Sequence, residues 1–143
     1  MTTTTSIRNE LKRRLLALGE TSSTKISTVL NPDEARSPAN APAANTRMAV
    51  LWTMDAALEN QRADRFQLRQ MFAVDVPVPW TPSIEPELDK IRIELASVMI
   101  APFNSLAVQK QEVTSIEIGY PSEGSQYAVV SITAEYTYIE KLN

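Results

Sequence analysis

"RFQLRQMFAVDV", residues 65–76, is the stretch that most clearly predicts a fold. Apolar and polar side chains alternate along it, which indicates a β-strand with one face on a core and the other in water. The predicted core face holds Phe66, Leu68, Gln70, Phe72, Val74 and Val76, and the wet face holds Arg65, Gln67, Arg69 and Asp75. This pattern is typical of antiparallel sheets.

Four further segments predict strands around this one. Residues 25–30 and 48–54 precede it, with residues 55–64 as a connection, and residues 112–119 and 126–140 follow it. The last segment is the longest and places six residues on one face: Ala128, Val130, Ile132, Ala134, Tyr136 and Tyr138.

Two amphipathic helices complete the pattern. The first has the apolar stripe Ile7, Leu11, Leu15 and Leu18, with Ser6 as the expected N-cap and Gly19 just past the end. The second begins near Pro86, stops before Pro102 and carries the stripe Leu88, Ile91, Leu95, Val98 and Met99.

The predicted order is therefore α-β-β-β-α-β-β. We expect an α+β fold, a two-layer sandwich with a mostly antiparallel sheet of about five strands and both helices on one face. At 143 residues the chain is expected to be a single domain, 1–143, with an extended Pro/Ala-rich loop at 31–47.

The composition lacks the common catalytic groups. There is no His and no Cys, so histidine-based catalysis and cysteine-based metal or thiol chemistry are excluded. The three Gly cannot form a Walker loop or a dinucleotide fingerprint. Two carboxylate groups, Asp33/Glu34 and Glu85/Glu87/Asp89, are interpreted as solvated or structural. We expect no enzyme activity, no cofactor and no metal.

Three segments offer little to a core: residues 1–6, 31–45 and 77–86. The last contains four Pro and is predicted to be a loop. Long loops of this kind are usually functional or disordered, and they favour an interaction protein. From the middle segment we selected Arg36, Pro38, Asn40 and Pro42 as candidate partner contacts.

Two tryptophans and a basic cluster need interpretation. Trp52 is in phase with Val50 and Met54 and is expected in the core, whereas Trp80 lies in the Pro-rich segment, where an interface role and local packing are both open. Arg8, Lys12, Arg13 and Arg14 predict a solvated helix face, with contact to an acidic neighbour as the alternative. Arg8 and Arg13 join the candidate contacts.

Charge is unevenly distributed along the chain. Residues 1–70 hold ten Lys/Arg and seven Asp/Glu, a net charge of +3, and residues 71–143 hold four and ten, a net charge of −6. Opposite faces of neighbouring copies could meet through this asymmetry, although chance explains it equally well. No apolar run has the length of a signal peptide or a membrane span, so we expect a soluble protein of the cytoplasm in which it is made.

Three stretches carry a resemblance to a known family. "IRNELKRRLLAL", "EPELDKIRIELASVMI" and "SQYAVVSITAEYTY", together with the order of elements, resemble the tail terminators of long-tailed bacteriophages, the minor tail protein U family of lambda-like phages. The likeness covers most of the chain except residues 31–47.

The resemblance implies a structural protein of the virion at the head-proximal end of the tail. Six copies would form a ring on the tail tube, stop its polymerisation and offer a surface to the head–tail connector or neck protein. A sheath protein is a further possible partner, viral DNA would pass through the ring without specific binding, and no membrane is involved.

Three other interpretations stay open at this point, the third of which is a metal-dependent enzyme that uses Asp33, Glu85 or Asp89. Another neck, head–tail joining or tail-completion protein would share the same class and differ in subunit number. A small-molecule-binding domain would instead enclose a pocket between the helices and the sheet.

Overall fold

The computed structural model describes residues 2–19, 21–42, 44–104, 107–122 and 124–142, apart from the side chain of Pro38. The helices are α1 (Thr3–Leu16), α2 (Pro32–Ala35) and α3 (Glu85–Ile100), with a 3-10 turn at Pro38–Asn40. The strands are β1 (Ile26–Leu30), β2 (Arg47–Arg62), β3 (Arg65–Pro79), β4 (Val108–Gly119) and β5 (Tyr127–Lys141).

The described strands form one sheet in the order β1-β2-β3-β5-β4. β1 is parallel to β2, and the other neighbouring pairs are antiparallel. The α+β class and the mostly antiparallel five-stranded sheet are thus confirmed.

The core lies between this sheet and the two long helices. α1 contributes Ile7, Leu11 and Leu15, and α3 contributes Leu88, Ile91, Leu95 and Met99. The sheet contributes alternate residues of β3 and β5, including the six residues Ala128, Val130, Ile132, Ala134, Tyr136 and Tyr138, all buried. Both predicted stripes therefore face the predicted side of the sheet.

Gln70 is a buried polar residue on the core face of β3, with 4% of its surface exposed. Its side-chain nitrogen Nε2 donates to the backbone carbonyls of Met54 and of Met71, the latter at 2.9 Å. The β2–β3 register shifts between Thr53 and Ala56. A bulge leaves backbone groups without ladder partners, and Gln70 satisfies one of them.

The prediction of a connection at 55–64 was wrong. β2 continues to Arg62, and only Ala63 and Asp64 form the turn before β3. Every residue of β2 from Trp52 onward is exposed. A strand without a buried face needs no alternation of apolar and polar residues, so the sequence pattern does not mark it.

The prediction of a loop at 77–86 was wrong at its start, because Pro77, Val78 and Pro79 belong to β3. Trp80 N donates to Gln126 O at 2.8 Å, so the even-numbered residues here direct their N–H groups toward β5. The two prolines point to the other side, where β2 pairing has already ended at Val50↔Asp75. A proline is tolerated where no ladder hydrogen bond is required.

The Thr-rich start is helical. Thr2, rather than the predicted Ser6, is the N-cap, and its side chain accepts a hydrogen bond from Thr5 N at 3.2 Å. The carboxylate of Glu140 accepts from Thr3 N at 2.9 Å and from Thr3 Oγ1 at 2.6 Å. A carboxylate on the exposed N–H groups of a helix start is favourable, and it extends the helix beyond the apolar stripe.

The Pro/Ala-rich segment is not extended throughout. Asn31 and Glu34 form a reciprocal capping box, with hydrogen bonds of 2.8 and 3.0 Å, that starts α2 at Pro32. No residue of α2 is buried. The segment therefore lies on the surface as short turns, beside β1 and the first part of β2.

Candidate interaction surface

The most exposed regular element is one margin of the sheet, which we call the β2 edge (Leu51–Arg62). Pairing of β1 with β2 ends at Leu30↔Val50, and no described strand lies beside β2 after that point. Three large apolar side chains are exposed along it: Trp52 at 42%, Met54 at 42% and Leu58 at 53%. An uncovered edge with such side chains is a template for pairing with another chain.

The sequence predicted Trp52 in the core, and this prediction was wrong. Trp52 lies on the outer face of the sheet. Its register partner is Ala73, whereas the neighbouring Leu51 pairs with the buried Val74. The indole Nε1 donates to Asp75 Oδ2 at 3.0 Å, and Ser131 Oγ donates to Asp75 Oδ1 at 2.6 Å. The position of the helix layer, which the strand sequence does not encode, decided which face is buried.

An open cleft of about 570 Å³ lies where β1 ends and the β2 edge begins. Its apolar lining includes Val29, Leu30 and Leu51, and α1 adds Arg8 and Lys12. Arg8 Nη1 donates to Thr53 Oγ1 at 3.3 Å, at the mouth of the cleft. The candidate contact Arg8 thus lies beside the β2 edge.

The other basic residues of α1 have local roles. Arg13 is exposed and donates to both carboxylate oxygens of Glu10, and this hydrogen bonding holds the pKa of Glu10 below its ordinary value. Arg14 donates to Ala101 O at 2.8 Å and to Pro102 O at 2.7 Å, and its guanidinium lies 4.3 Å from the ring centroid of Phe103. Arg14 therefore caps the C-terminal end of α3, a role that the sequence reading missed.

The candidate contacts of the Pro/Ala-rich segment lie apart from Trp80. The Arg36 side chain is 81% exposed, Asn40 Nδ2 donates to Glu34 O at 3.0 Å, and Pro42 is half-buried. The Pro38 side chain is outside the described residues. This segment follows β1, at one margin of the sheet.

Trp80 directly follows β3, the middle strand of the sheet, and its backbone N–H bonds to Gln126, just before β5. It packs edge-to-face on Tyr120, with ring centroids 5.5 Å apart and an interplanar angle of 83°. Trp80 is 36% exposed and Tyr120 58%, so local packing and exposure coexist there.

The predicted carboxylate groups pair with cations or are exposed. Glu87 pairs with Arg47 at 3.0 Å, Asp89 pairs with Arg92 at 2.9 Å, and the Asp33 side chain is 92% exposed. Among the described residues there is no group of three His, Cys, Asp or Glu placed to hold a metal ion.

Glu94 is a carboxylate that the sequence reading passed over. It accepts hydrogen bonds from Thr24 N at 2.8 Å, Thr24 Oγ1 at 2.6 Å and Ser23 N at 3.2 Å. It thereby fixes the α1–β1 connection to α3, which is a structural role.

The opposite margin of the sheet is the β4 edge (Val108–Gly119). Among the described strands, β4 pairs with β5 alone, and Ile116 on it is 48% exposed. The sequence predicted this strand but gave no sign that it would end the sheet.

The chain has more surface than its mass requires. It exposes 8450 Å², whereas a monomeric protein of 15.9 kDa exposes about 7,300 Å². The excess of about 1,100 Å² is comparable with the area of about 800 Å² that each partner contributes to a standard interface.

No described helix has both the length and the apolar character that crossing a membrane requires. No family model matches the chain, and no curated protein matches it. The chain is similar over almost its full length to a solved structure whose name states no function. The identity is 22%, the TM-score is 0.55, and the match covers 96% of this chain and 94% of that chain. At this identity the likeness shows the fold alone.

Proposed function

We propose that this chain is a non-enzymatic structural protein of a bacteriophage virion, a ring-forming tail terminator. The ring caps the tail tube, stops its polymerisation and joins the tail to the head or neck connector. Neighbouring copies, the tube protein and the connector protein are its partners.

The exposed β2 edge is the observation that carries this proposal. A free sheet margin with Trp52, Met54 and Leu58 exposed is unusual for a protein that works alone, because such edges are normally short, covered or paired. The surplus surface points in the same direction. An assembly in which each copy contacts two neighbours would cover both.

Two further observations support the class of protein. The α+β fold, with two helices on one side of a mostly antiparallel sheet, is the fold that the terminator resemblance implies. The chain also has no His and no Cys, as suits a protein whose work is assembly. An open cleft lined by Arg8, Lys12, Asp33 and Glu34 is the best alternative site, but it faces the same exposed edge.

Electron microscopy of the purified chain tests the proposal. Particles imaged in negative stain across a concentration series, and then after mixing with phage tail tubes, are classified by rotational symmetry. Sixfold rings with an open centre, found at the ends of tubes, are the expected result. Twelvefold rings would assign the chain to the neck instead, and a chain that neither forms rings nor binds tube ends would contradict the proposal.

A further inference from the structure

We propose that the β2 edge of one copy pairs with the β4 edge of a second copy, so that the sheets of neighbouring subunits join into one. The pairing is antiparallel, with Thr53 opposite Ile116. This inference names the subunit contact of the proposed ring and rests on that proposal for the closure of the ring.

Strand direction fits a closed ring. β2 and β5 run in the same direction, since both are antiparallel to β3, and β4 runs opposite to them. Rotation about an axis parallel to the strands keeps these directions. The β4 edge of the next copy therefore meets the β2 edge in antiparallel orientation, and head-to-tail contacts of this kind close into rings.

The irregularities of the two edges match in this register. β2 has register shifts between Thr53 and Ala56 and between Leu58 and Asn60. β4 has shifts between Val113 and Ser115 and between Val108 and Lys110. With Thr53 opposite Ile116, the β2 shift at Thr53/Ala56 lies opposite the β4 shift at Val113/Ser115. The β2 shift at Leu58/Asn60 lies opposite the β4 shift at Val108/Lys110. Bulges normally obstruct edge pairing, but bulges at matching heights bend both strands together.

The faces of the two strands also agree. Thr53 and Leu58 are paired in β3 with Phe72 and Leu68, on the helix side of the sheet. Their proposed partners Ile116 and Gln111 are paired in β5 with Ile132 and Tyr136, on the same side. A register shifted by one residue would reverse this agreement, because successive side chains point to opposite faces.

The backbone hydrogen-bonding groups point the right way. Odd-numbered residues of β3 face β2, since Trp80 N–H bonds to β5 and the β3–β5 register is uninterrupted. Val50 lies opposite Asp75 and faces β3, so Leu51 and Thr53 face outward. The same alternation carried through β5 turns Ile116 and Ile118 outward on β4. These outward groups would meet as hydrogen-bonded pairs.

Charge and shape add to the fit. The register places Glu59 opposite Lys110, and no like charges lie directly opposite each other along the edges. Glu59 reaches Arg69 on the outer face at 2.9 Å, and Lys110 is 69% exposed on that face. On the helix side, the exposed Ile116 would enter the mouth of the cleft whose lining includes Val29, Leu30 and Leu51. The edge Leu51–Arg62 is as long as β4, which has 12 residues.

Disulfide cross-linking tests the contact, since the chain has no cysteine of its own. The register makes Ala57 and Glu112 a directly opposed pair on the outer face without mutual hydrogen bonds, where Cα atoms lie about 4.5 Å apart. That spacing suits a disulfide. The double variant Ala57→Cys/Glu112→Cys, oxidised at concentrations where the protein associates, is expected to give a ladder of covalent multimers on non-reducing gels.

The control pair is Ala57→Cys/Ser115→Cys. A bulge separates Glu112 from Ser115, so Ser115 lies on the same face of β4, two ladder positions or about 7 Å along the strand. The Cα atoms of Ala57 and Ser115 would then be too far apart for a disulfide, and no ladder is expected. A ladder from this control as strong as that from the test pair would overturn the register, and dimers from Ala57→Cys alone would show that two β2 edges meet instead.

A charge exchange gives a second, independent readout. Glu59→Lys and Lys110→Glu are each expected to weaken association in analytical ultracentrifugation, and the double exchange is expected to restore it. Lys90→Glu, a charge reversal of the same size at an exposed position of α3, is the matched control and is expected to leave association unchanged.

The outcomes separate this inference from the proposed function. Sixfold rings without the 57–112 cross-link would overturn the inference and leave the terminator proposal standing. A 57–112 ladder in open filaments without rings would support the edge pairing and overturn the ring. A chain that shows no cross-links at its highest soluble concentration contradicts the inference.

Discussion

The Tyr136 hydroxyl donates a 2.6 Å hydrogen bond to the backbone carbonyl of Met99, joining β5 to the last turn of α3. The ring is buried and lies edge-to-face on Phe72 and Phe103, with centroid distances of 5.8 and 5.4 Å. Burial raises the pKa of this phenol far above its ordinary value of about 10. Tyr136 therefore links the packing of α3 to the stability of the fold at alkaline pH.

Replacement of this phenol should change how stability depends on pH. Above about pH 10 an unfolded chain loses the Tyr136 proton while the folded chain keeps it, so the free energy of unfolding falls as pH rises. We expect Tyr136→Phe to cost about 1 kcal/mol at pH 7 through the lost hydrogen bond. Urea unfolding at pH 7 and pH 11 should show a smaller alkaline loss in the variant than in the parent. Equal losses would contradict the assignment to Tyr136.

Gln70 should be necessary for the stability of the fold although it is a polar residue in the core. Gln70→Leu keeps the approximate volume but leaves the carbonyl of Met54 without its side-chain donor, so we expect a loss of about 1–3 kcal/mol in the free energy of unfolding. Gln61→Leu, on the exposed part of β2, is the matched control and should change stability by less than about 0.5 kcal/mol. A Gln70→Leu variant as stable as the parent would show that the bulge does not need this amide.

The capping of α3 by Arg14 should depend on the shape of the side chain as well as on its charge. Arg14→Lys keeps the positive charge but cannot reach several carbonyls at the end of α3 with a planar fork. We expect a loss of about 1–2 kcal/mol in thermal or urea unfolding. Arg13→Lys, one residue earlier and 68% exposed, should have almost no effect. Equal effects of the two variants would remove the capping role from Arg14.

Trp52 should tolerate truncation that a core aromatic residue would not. Because Trp52 is 42% exposed on the outer face, we expect Trp52→Ala to cost less than about 1.5 kcal/mol. The fully buried Phe72→Ala should cost about 3–5 kcal/mol. Urea unfolding of the two variants measures both losses, and the midpoints can be compared directly if the slope of the unfolding free energy against urea is the same. A loss at Trp52 as large as that at Phe72 would return this residue to a core position.

Assembly should change the fluorescence of Trp52. In a Trp80→Phe background this indole is the single tryptophan, and pairing at the β2 edge would place a neighbouring strand beside it. We expect its emission to shift to shorter wavelength as the protein concentration rises. Dilution of the Glu59→Lys variant should show the unshifted emission at concentrations where the parent is still shifted.

The sequence by itself determined the α+β class, the two helices and the buried faces of β3 and β5. It could do so because each of these elements has one face in the core. Apolar residues then recur with a period of two in a strand or 3.6 in a helix. The alternation from Phe66 to Val76 and the stripe from Ile7 to Leu15 are such patterns. The terminator function and the ring remain proposals.

Only the tertiary structure decided what lies at the margins of the sheet. Residues 55–62 have no buried face, so no periodicity marked them as strand, and Pro77 and Pro79 entered β3 because their side of the strand has no partner. Trp52 is exposed because the helices cover the other face of the sheet. Arg14 donates to carbonyls that lie 87 and 88 positions away in sequence. The proposed contact depends on two edges, β2 and β4, whose exposure follows from strand order, and strand order is set by long-range pairing that local sequence patterns do not encode.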